Sequence, residues 1–230
     1  MRGDVPHAPV ILKPHEPVAE RVLLPGDPGR ALRLATQLLD GPRMLNHHRG
    51  LWGYSGRAAD GELLTIQSTG LGGPSAAAVV AELLELVARR LIRVGTAAGL
   101  GATPLGAIVV AEAALATDGA SRALGAGERV EADAALAGAL AAPGAVRGLV
   151  ASVDIHDPVR ATTWAGTGAL ACDLATAAVL AAAAAQGAAA GAILAVTRAR
   201  GERLADDALE PLESALGAAA TAALAPSRAR

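Results

Sequence analysis

The chain has 230 residues and a formal charge of -2, with 52% hydrophobic and 18% charged residues. That balance excludes a disordered chain. A pI near 6.2, with Trp52, Tyr54 and Trp164 as the only aromatics, gives neither the basic footprint nor the stacking platforms of a nucleic-acid binder.

One α/β domain spanning residues 1–230 is expected, since no stretch reads as a linker or an internal repeat. The lone Cys172 allows no internal disulfide, and no Cys/His cluster has metal-ligand spacing, so a reducing, cytoplasmic setting without a metal is expected. Met1-Arg2-Gly3-Asp4 leads into Pro and His, which does not read as a signal peptide. The stretch from Leu174 to Val196 is nearly free of charge over a length that could cross a bilayer. It is mostly Ala, and Gln186-Gly187 divides it into a helix-like and a β-like half, so no membrane partner is expected.

In chain order, Arg21 to Leu24 reads as a buried strand stopped by Pro25-Gly26-Asp27-Pro28-Gly29, with a helix following through Leu38. Tyr54–Ala58 and Leu63–Ser68, joined through Ala59-Asp60-Gly61, read as a hairpin. Gly70 to Gly73 ends the second of these, and Pro74 suits the first turn of a helix to about Val87. Strands are expected at Leu91–Val94, closed by Gly95-Thr96, at Ala107–Ala111, and at Leu149–Val153. An Ala-rich helix, a strand over Ala190–Thr197 and a last amphipathic helix from about Leu204 to Leu224 complete the pattern. Strands alternating with helices indicate an α/β domain.

Two corners could hold an anion. The turn Pro25 to Arg30 lies between a strand and a helix, where free N–H groups and the helix dipole favour negative charge. Arg93-Val94-Gly95-Thr96 sets a cation and a hydroxyl at another strand end, where open α/β sheets hold ligands. Two such corners, each with an arginine, could converge on one phosphate.

At these residues the sequence resembles the purine nucleoside phosphorylase and uridine phosphorylase family. The resemblance is carried by Val22-Leu23-Leu24-Pro25-Gly26-Asp27-Pro28-Gly29-Arg30, by Ser68-Thr69-Gly70-Leu71-Gly72-Gly73-Pro74-Ser75 and by Leu91-Ile92-Arg93-Val94-Gly95-Thr96-Ala97-Ala98-Gly99, in this order and at the right spacing. It implies the phosphorylase-type α/β fold, a central mixed sheet flanked by helices, assembled as dimers that commonly associate into a hexamer. The implied reaction is attack of phosphate on the anomeric carbon of a nucleoside, giving free base and pentose 1-phosphate. Phosphate is then a co-substrate, and no cofactor or metal is implied.

Carried over residue by residue, the resemblance implies a phosphate set of Gly26, Arg30, Arg93 and Thr96, with Arg49 donated by a neighbouring subunit. His7, or in competition His15, would reach the ribose 5'-hydroxyl across a dimer, and Leu174 is the other ribose candidate. The C-terminal half departs from the pattern. Asp173-Leu174-Ala175 stands where the family has Glu-Met-Glu, so the ribose glutamate becomes Ala175, while Asp173, taken as lying on the same helix, would point about 200° away. Ser152-Val153-Asp154-Ile155-His156 resembles the segment before the base loop, with His156 where an aromatic commonly sits, and the Gln-x-Arg pair that reads uracil has no counterpart. Thr197-Arg198-Ala199-Arg200 replaces the Ser-Asp that protonates purine N7. The catalytic candidates are therefore Arg198, Arg200 and Asp173, the arginines as donors to a base rather than as carboxylic acids. A phosphorylase of altered base or sugar preference is the first reading. A catalytically weak relative that keeps phosphate or nucleoside binding for a regulatory or scaffold role is the alternative.

Overall fold

A computed structural model describes residues 9–226. Arg21–Pro25 (β1) is buried along its whole length, as a Val-Leu-Leu run without alternation requires of a strand covered on both faces. The chain turns at Gly26-Asp27 into α1 (Pro28–Leu38), with Pro28 in the first turn and the Asp27 carboxylate accepting the Arg30 N–H at 2.6 Å. There follow β2 (Asp40–Asn46), β3 (Gly53–Arg57), β4 (Leu63–Gln67), α2 (Gly72–Leu86), β5 (Arg90–Gly99) and β6 (Ile108–Ala116). Then come α3 (Gly119–Ala123), β7 (Arg129–Glu131), α4 (Ala134–Ala139), β8 (Val146–Ser152), α5 (Pro158–Gly166) and β9 (Ala171–Asp173). The chain ends in α6 (Thr176–Ala185), β10 (Ala189–Ala199), β11 (Glu202–Arg203) and α7 (Asp206–Leu224).

All strands belong to one mixed sheet, in the order β11-β10-β6-β8-β9-β5-β1-β4-β3-β2, with β7 beside β6. A further pairing of β10 with β5 closes β5, β10, β6, β8 and β9 into a ring, from which β1, β4, β3 and β2 extend as a wing. The strands β1, β5 and β10 run parallel, so their C-terminal ends lie together.

Alternate residues of these strands feed two helical layers. Leu23, Ile92 and Ile193 pack with Leu34 of α1 and Leu216 of α7, whereas Val22, Leu24 and Leu91 pack with Val79 and Leu83 of α2 and Val179 of α6. Every residue of α6 from Thr176 to Ala183 is buried. Its small side chains let α2 and the sheet approach closely, which is why this apolar run is a core helix. Among the described residues no helix is long and apolar enough to cross a membrane.

The hairpin forms as expected, with Tyr54 opposite Ile66 and Ser55 opposite Thr65. Other expectations change. Strand β2 contains Gly41 and Pro42 and is exposed over Asp40–Met44, so it carries neither a strand-like composition nor an apolar face to mark it. Gly95-Thr96 does not close β5, which continues to Gly99. Gly95 is instead a packing position, since a Cβ there would come within 2.7 Å of Leu194 Cδ2 and 3.0 Å of Arg93 Cζ. Asp173 is the last residue of β9 and not part of the helix, which starts at Thr176, so the expected 200° helical offset from Ala175 does not apply.

Candidate active site

The site lies where strands part. On one edge of β5, β1 pairs as far as Pro25 opposite Val94, and β9 takes over with Cys172 opposite Ala98. Residues 95–97 therefore have no strand beside them on that edge, and a cleft of about 470 Å³ opens there, at the C-terminal ends of β1, β5 and β10. Gly26, Arg30, Arg93 and Thr96 all line it, as do Asp173, Leu174 and Arg198.

One end is built for an anion. The N-termini of α1 and α2 meet there through Gly26-Asp27-Pro28 and Gly70-Leu71-Gly72. Gly70 and Gly72 have φ of +73° and +83°, conformations open to glycine at little cost, and any side chain on Gly70 would strike Ser75 and Leu51. A Cβ on Gly26 would lie 3.4 Å from the Gly70 carbonyl and 3.9 Å from Arg93 Nη1, so the two corners are in near contact.

Each arginine is backed by a buried carboxylate. The Arg93 guanidinium lies over Gly95 and gives its Nε to Asp173 Oδ2 at 2.9 Å, with Nη2 also 2.9 Å from that oxygen in the ion pair. Asp173 is held in turn by the Ser152 hydroxyl at 2.8 Å, the Thr176 hydroxyl at 2.8 Å and the Thr176 N–H at 3.1 Å. Arg30 gives its Nε to Glu213 of α7 at 2.6 Å.

Ala97, Ala98, Val153, Leu174 and Ala175 give the cleft an apolar part of its lining. At the far end the ladder between β10 and β5 slips by one residue between Val196 and Arg198, a bulge that brings the successive residues Thr197 and Arg198 to the cleft. Among the described residues, the Arg198 side chain has neither a hydrogen-bond nor an ion-pair partner. Cys172 and His156 also line the wall, with the sulfur 3.5 Å from His156 Nδ1. Burial, with a smaller contribution from Asp173, pushes the thiol up to about 11, so Cys172 is a neutral wall atom and not a nucleophile.

Arg200 stands away from the cleft, and Arg49 and His15, expected to serve a neighbouring subunit, do not line this chain's own. Arg200 sits at the turn between β10 and β11 with φ of +51° and donates to the Ala102 carbonyl at 3.3 Å, away from the cleft; the bulge at Thr197 selects Arg198 instead. Arg49, with φ of +57°, is exposed in a single 3-10 turn, His48–Gly50, and is not part of this chain's cleft. His7 lies outside the described residues. The competing His15 is stacked on His47 with ring centroids 5.6 Å apart, also away from the cleft. Asp173 is in the wall, but with both oxygens engaged it anchors Arg93 and has no free edge for proton transfer.

Glu213 escaped sequence reasoning because it is 183 residues from Arg30 and carries no local motif. Among the described residues no group of acidic, His or Cys side chains could hold a metal ion.

Relatives share parts of this chain. A purine nucleoside phosphorylase DeoD-type of Oceanobacillus iheyensis is 44% identical over 80 residues, 34% of this chain and 34% of that protein. The protein of the same name from Geobacillus kaustophilus is 45% identical over 80 residues, 34% of each. A uridine phosphorylase of Treponema pallidum is 38% identical over 106 residues, 46% of this chain and 40% of that protein. The chain spans about a third of the length of the first two relatives, and somewhat more of the third. The model of the phosphorylase superfamily matches residues 20–225, nearly the whole chain, and the chain belongs to that superfamily.

Proposed function

We propose that the protein is a nucleoside phosphorylase, a pentosyltransferase that cleaves the N-glycosidic bond of a purine or pyrimidine nucleoside with phosphate. The observation that carries this reading is the convergence of Arg30 and Arg93, each backed by a buried carboxylate, on the N-termini of two helices at one end of a cleft.

Phosphate is held by Arg30, Arg93, Thr96 and the backbone at Gly26. One of its oxygens bonds to the anomeric carbon as the bond to the base nitrogen breaks, and the electron pair leaves with the base. The products are the free base and a pentose 1-phosphate. Phosphate is the co-substrate, and no cofactor enters. The sugar lies along Leu174 and Ala175. Arg198, cationic and unpaired among the described residues, donates to the base and offsets the charge that develops on it.

Arg49 and His7 act in a neighbouring subunit's cleft, which makes the working unit a homo-oligomer, a dimer or a hexamer of dimers, in the cytoplasm. The relatives are named for enzymes, and nothing in the cleft favours the regulatory alternative.

The test is base release from a panel of purine and pyrimidine nucleosides with and without inorganic phosphate. Release that requires phosphate and yields a pentose 1-phosphate is expected. Release at the same rate in phosphate-free buffer would mean hydrolysis and would overturn the reading.

A further inference from the structure

We infer that Glu213 is a positioning residue for the phosphate end of the cleft and that Arg33, which does not line the cleft, is the counter-charge that leaves Arg30 free to attract an anion.

Glu213 is 3% exposed on α7, and its two oxygens serve different guanidiniums. Oε1 accepts Arg30 Nε at 2.6 Å, and Oε2 accepts Arg33 Nη2 at 2.6 Å and Nε at 3.2 Å. Holding Nε fixes the plane of the Arg30 guanidinium. Its terminal nitrogens have no protein partner among the described residues, and the residue lines the cleft. A long side chain that is already fixed loses less conformational freedom when it binds a ligand.

A carboxylate bonded to Arg30 alone would cancel its charge. Arg33 removes that difficulty, because two guanidiniums on one carboxylate leave the trio with one net positive charge. The second arginine of the site has no such help. Arg93 and Asp173 form a neutral pair, with Asp173 otherwise satisfied by the uncharged Ser152 and Thr176. Of the two ion-paired clusters behind the anion end, only the one on Glu213 is cationic, and half of that cation comes from a side chain 43% exposed on the outer side of α1. The hydrogen bonds that Arg33 gives to Glu213, together with the nearby Asp27 and Glu210 carboxylates, hold its guanidinium above its ordinary value, so it stays charged.

This inference rests on the proposal that phosphate occupies that end of the cleft. The experiment measures inorganic phosphate binding by calorimetry, together with the KM for phosphate and for nucleoside, in the full chain and in Arg33→Met and Glu213→Gln. Arg33→Met should weaken phosphate about three- to tenfold and leave the nucleoside KM within about twofold. Glu213→Gln raises the net charge of the trio, so a purely electrostatic role would tighten phosphate. Positioning predicts the reverse, a loss of about tenfold. If Glu213→Gln fails to fold, Arg33→Met carries the test, since its side chain is half in solvent.

Unchanged phosphate affinity in Arg33→Met, tighter phosphate in Glu213→Gln, or equal changes in both KM values would overturn the inference. A wild type that binds phosphate, responds to both substitutions as expected, and yet cleaves no nucleoside would overturn the proposed activity and leave the inference standing. A wild type that binds no phosphate overturns both.

Discussion

Arg93 and Asp173, 80 residues apart in the chain, are joined twice, with the Nε and Nη2 of the guanidinium both 2.9 Å from the carboxylate Oδ2. The pair ties the end of β9 to the middle of β5 across the gap in which the cleft opens. The same carboxylate caps α6 through the Thr176 N–H, so one buried charge sets a strand, a helix start and a cationic wall.

Asp173→Asn should therefore destabilise the fold strongly. Breaking a buried ion pair by neutralising one partner typically costs about 3–5 kcal/mol. Urea denaturation checks this, and a loss below about 1 kcal/mol would show that the pair is not the anchor described.

Ala175→Glu places a carboxylate in the apolar lining of the cleft, at the residue that precedes α6. A charge-assisted hydrogen bond to sugar hydroxyls is worth roughly 1.5–3 kcal/mol, so kcat/KM on ribonucleosides should rise about ten- to a hundredfold, with a smaller gain on 2'-deoxynucleosides. Parallel kinetics on the two sugar series decide the matter. Efficient turnover of uridine or inosine by the wild type would show that another group already serves the sugar hydroxyls.

Cys172 should resist alkylation at neutral pH. With the thiol pushed up to about 11, the thiolate at pH 7.5 is less than about one part in a thousand. Iodoacetamide labelling of the folded protein, followed by intact mass, should be slow at pH 7.5 and accelerate between about pH 9 and 11. Fast labelling at pH 7.5 would place the thiol in a different environment.

Asp60 gives a pH signature far from the cleft. Its carboxylate takes both terminal nitrogens of the buried Arg21, at 2.5 and 2.6 Å, and these hydrogen bonds hold it below the ordinary 3.8. A carboxyl lowered in the folded state stabilises fully above its unfolded value, and that contribution is lost as pH falls from about 4 through the folded value. The side chain is 26% exposed, so the amount is no more than about 1 kcal/mol. Asp60→Asn should flatten the acid limb of stability against pH by that amount and leave the neutral region flat. An unchanged acid limb would refute the assignment.

Much of this was legible in the sequence where a local rule applied. The turn from Pro25 to Arg30 and the Asp-Gly hairpin follow from proline, glycine and capping chemistry, and both form. What stayed hidden depends on contacts between distant segments. Arg198 and Arg200 are equivalent in the sequence, and only the ladder slip at Thr197 sends one to the cleft and the other to the Ala102 carbonyl. Asp173 reads as the start of a helix, because a three-residue strand such as β9 has too few residues to show a period. Glu213 is one acidic residue among several in an amphipathic helix, and only the packing of α7 on α1 reveals its task.

Beside residues 95–97 of β5 the sheet is one strand short. The backbone groups of this stretch that face away from β10 have no ladder to join and lie at the cleft. On the proposed function, a ligand oxygen seated in the cleft would complete the sheet in place of the absent strand, and the same hydrogen bonds would then count toward binding and toward folding. Thermal stability thereby becomes a gauge of occupancy: at a ligand concentration a hundred times Kd the folded state gains about 2.7 kcal/mol. On the proposed reading, the gap in the sheet and the place of binding coincide.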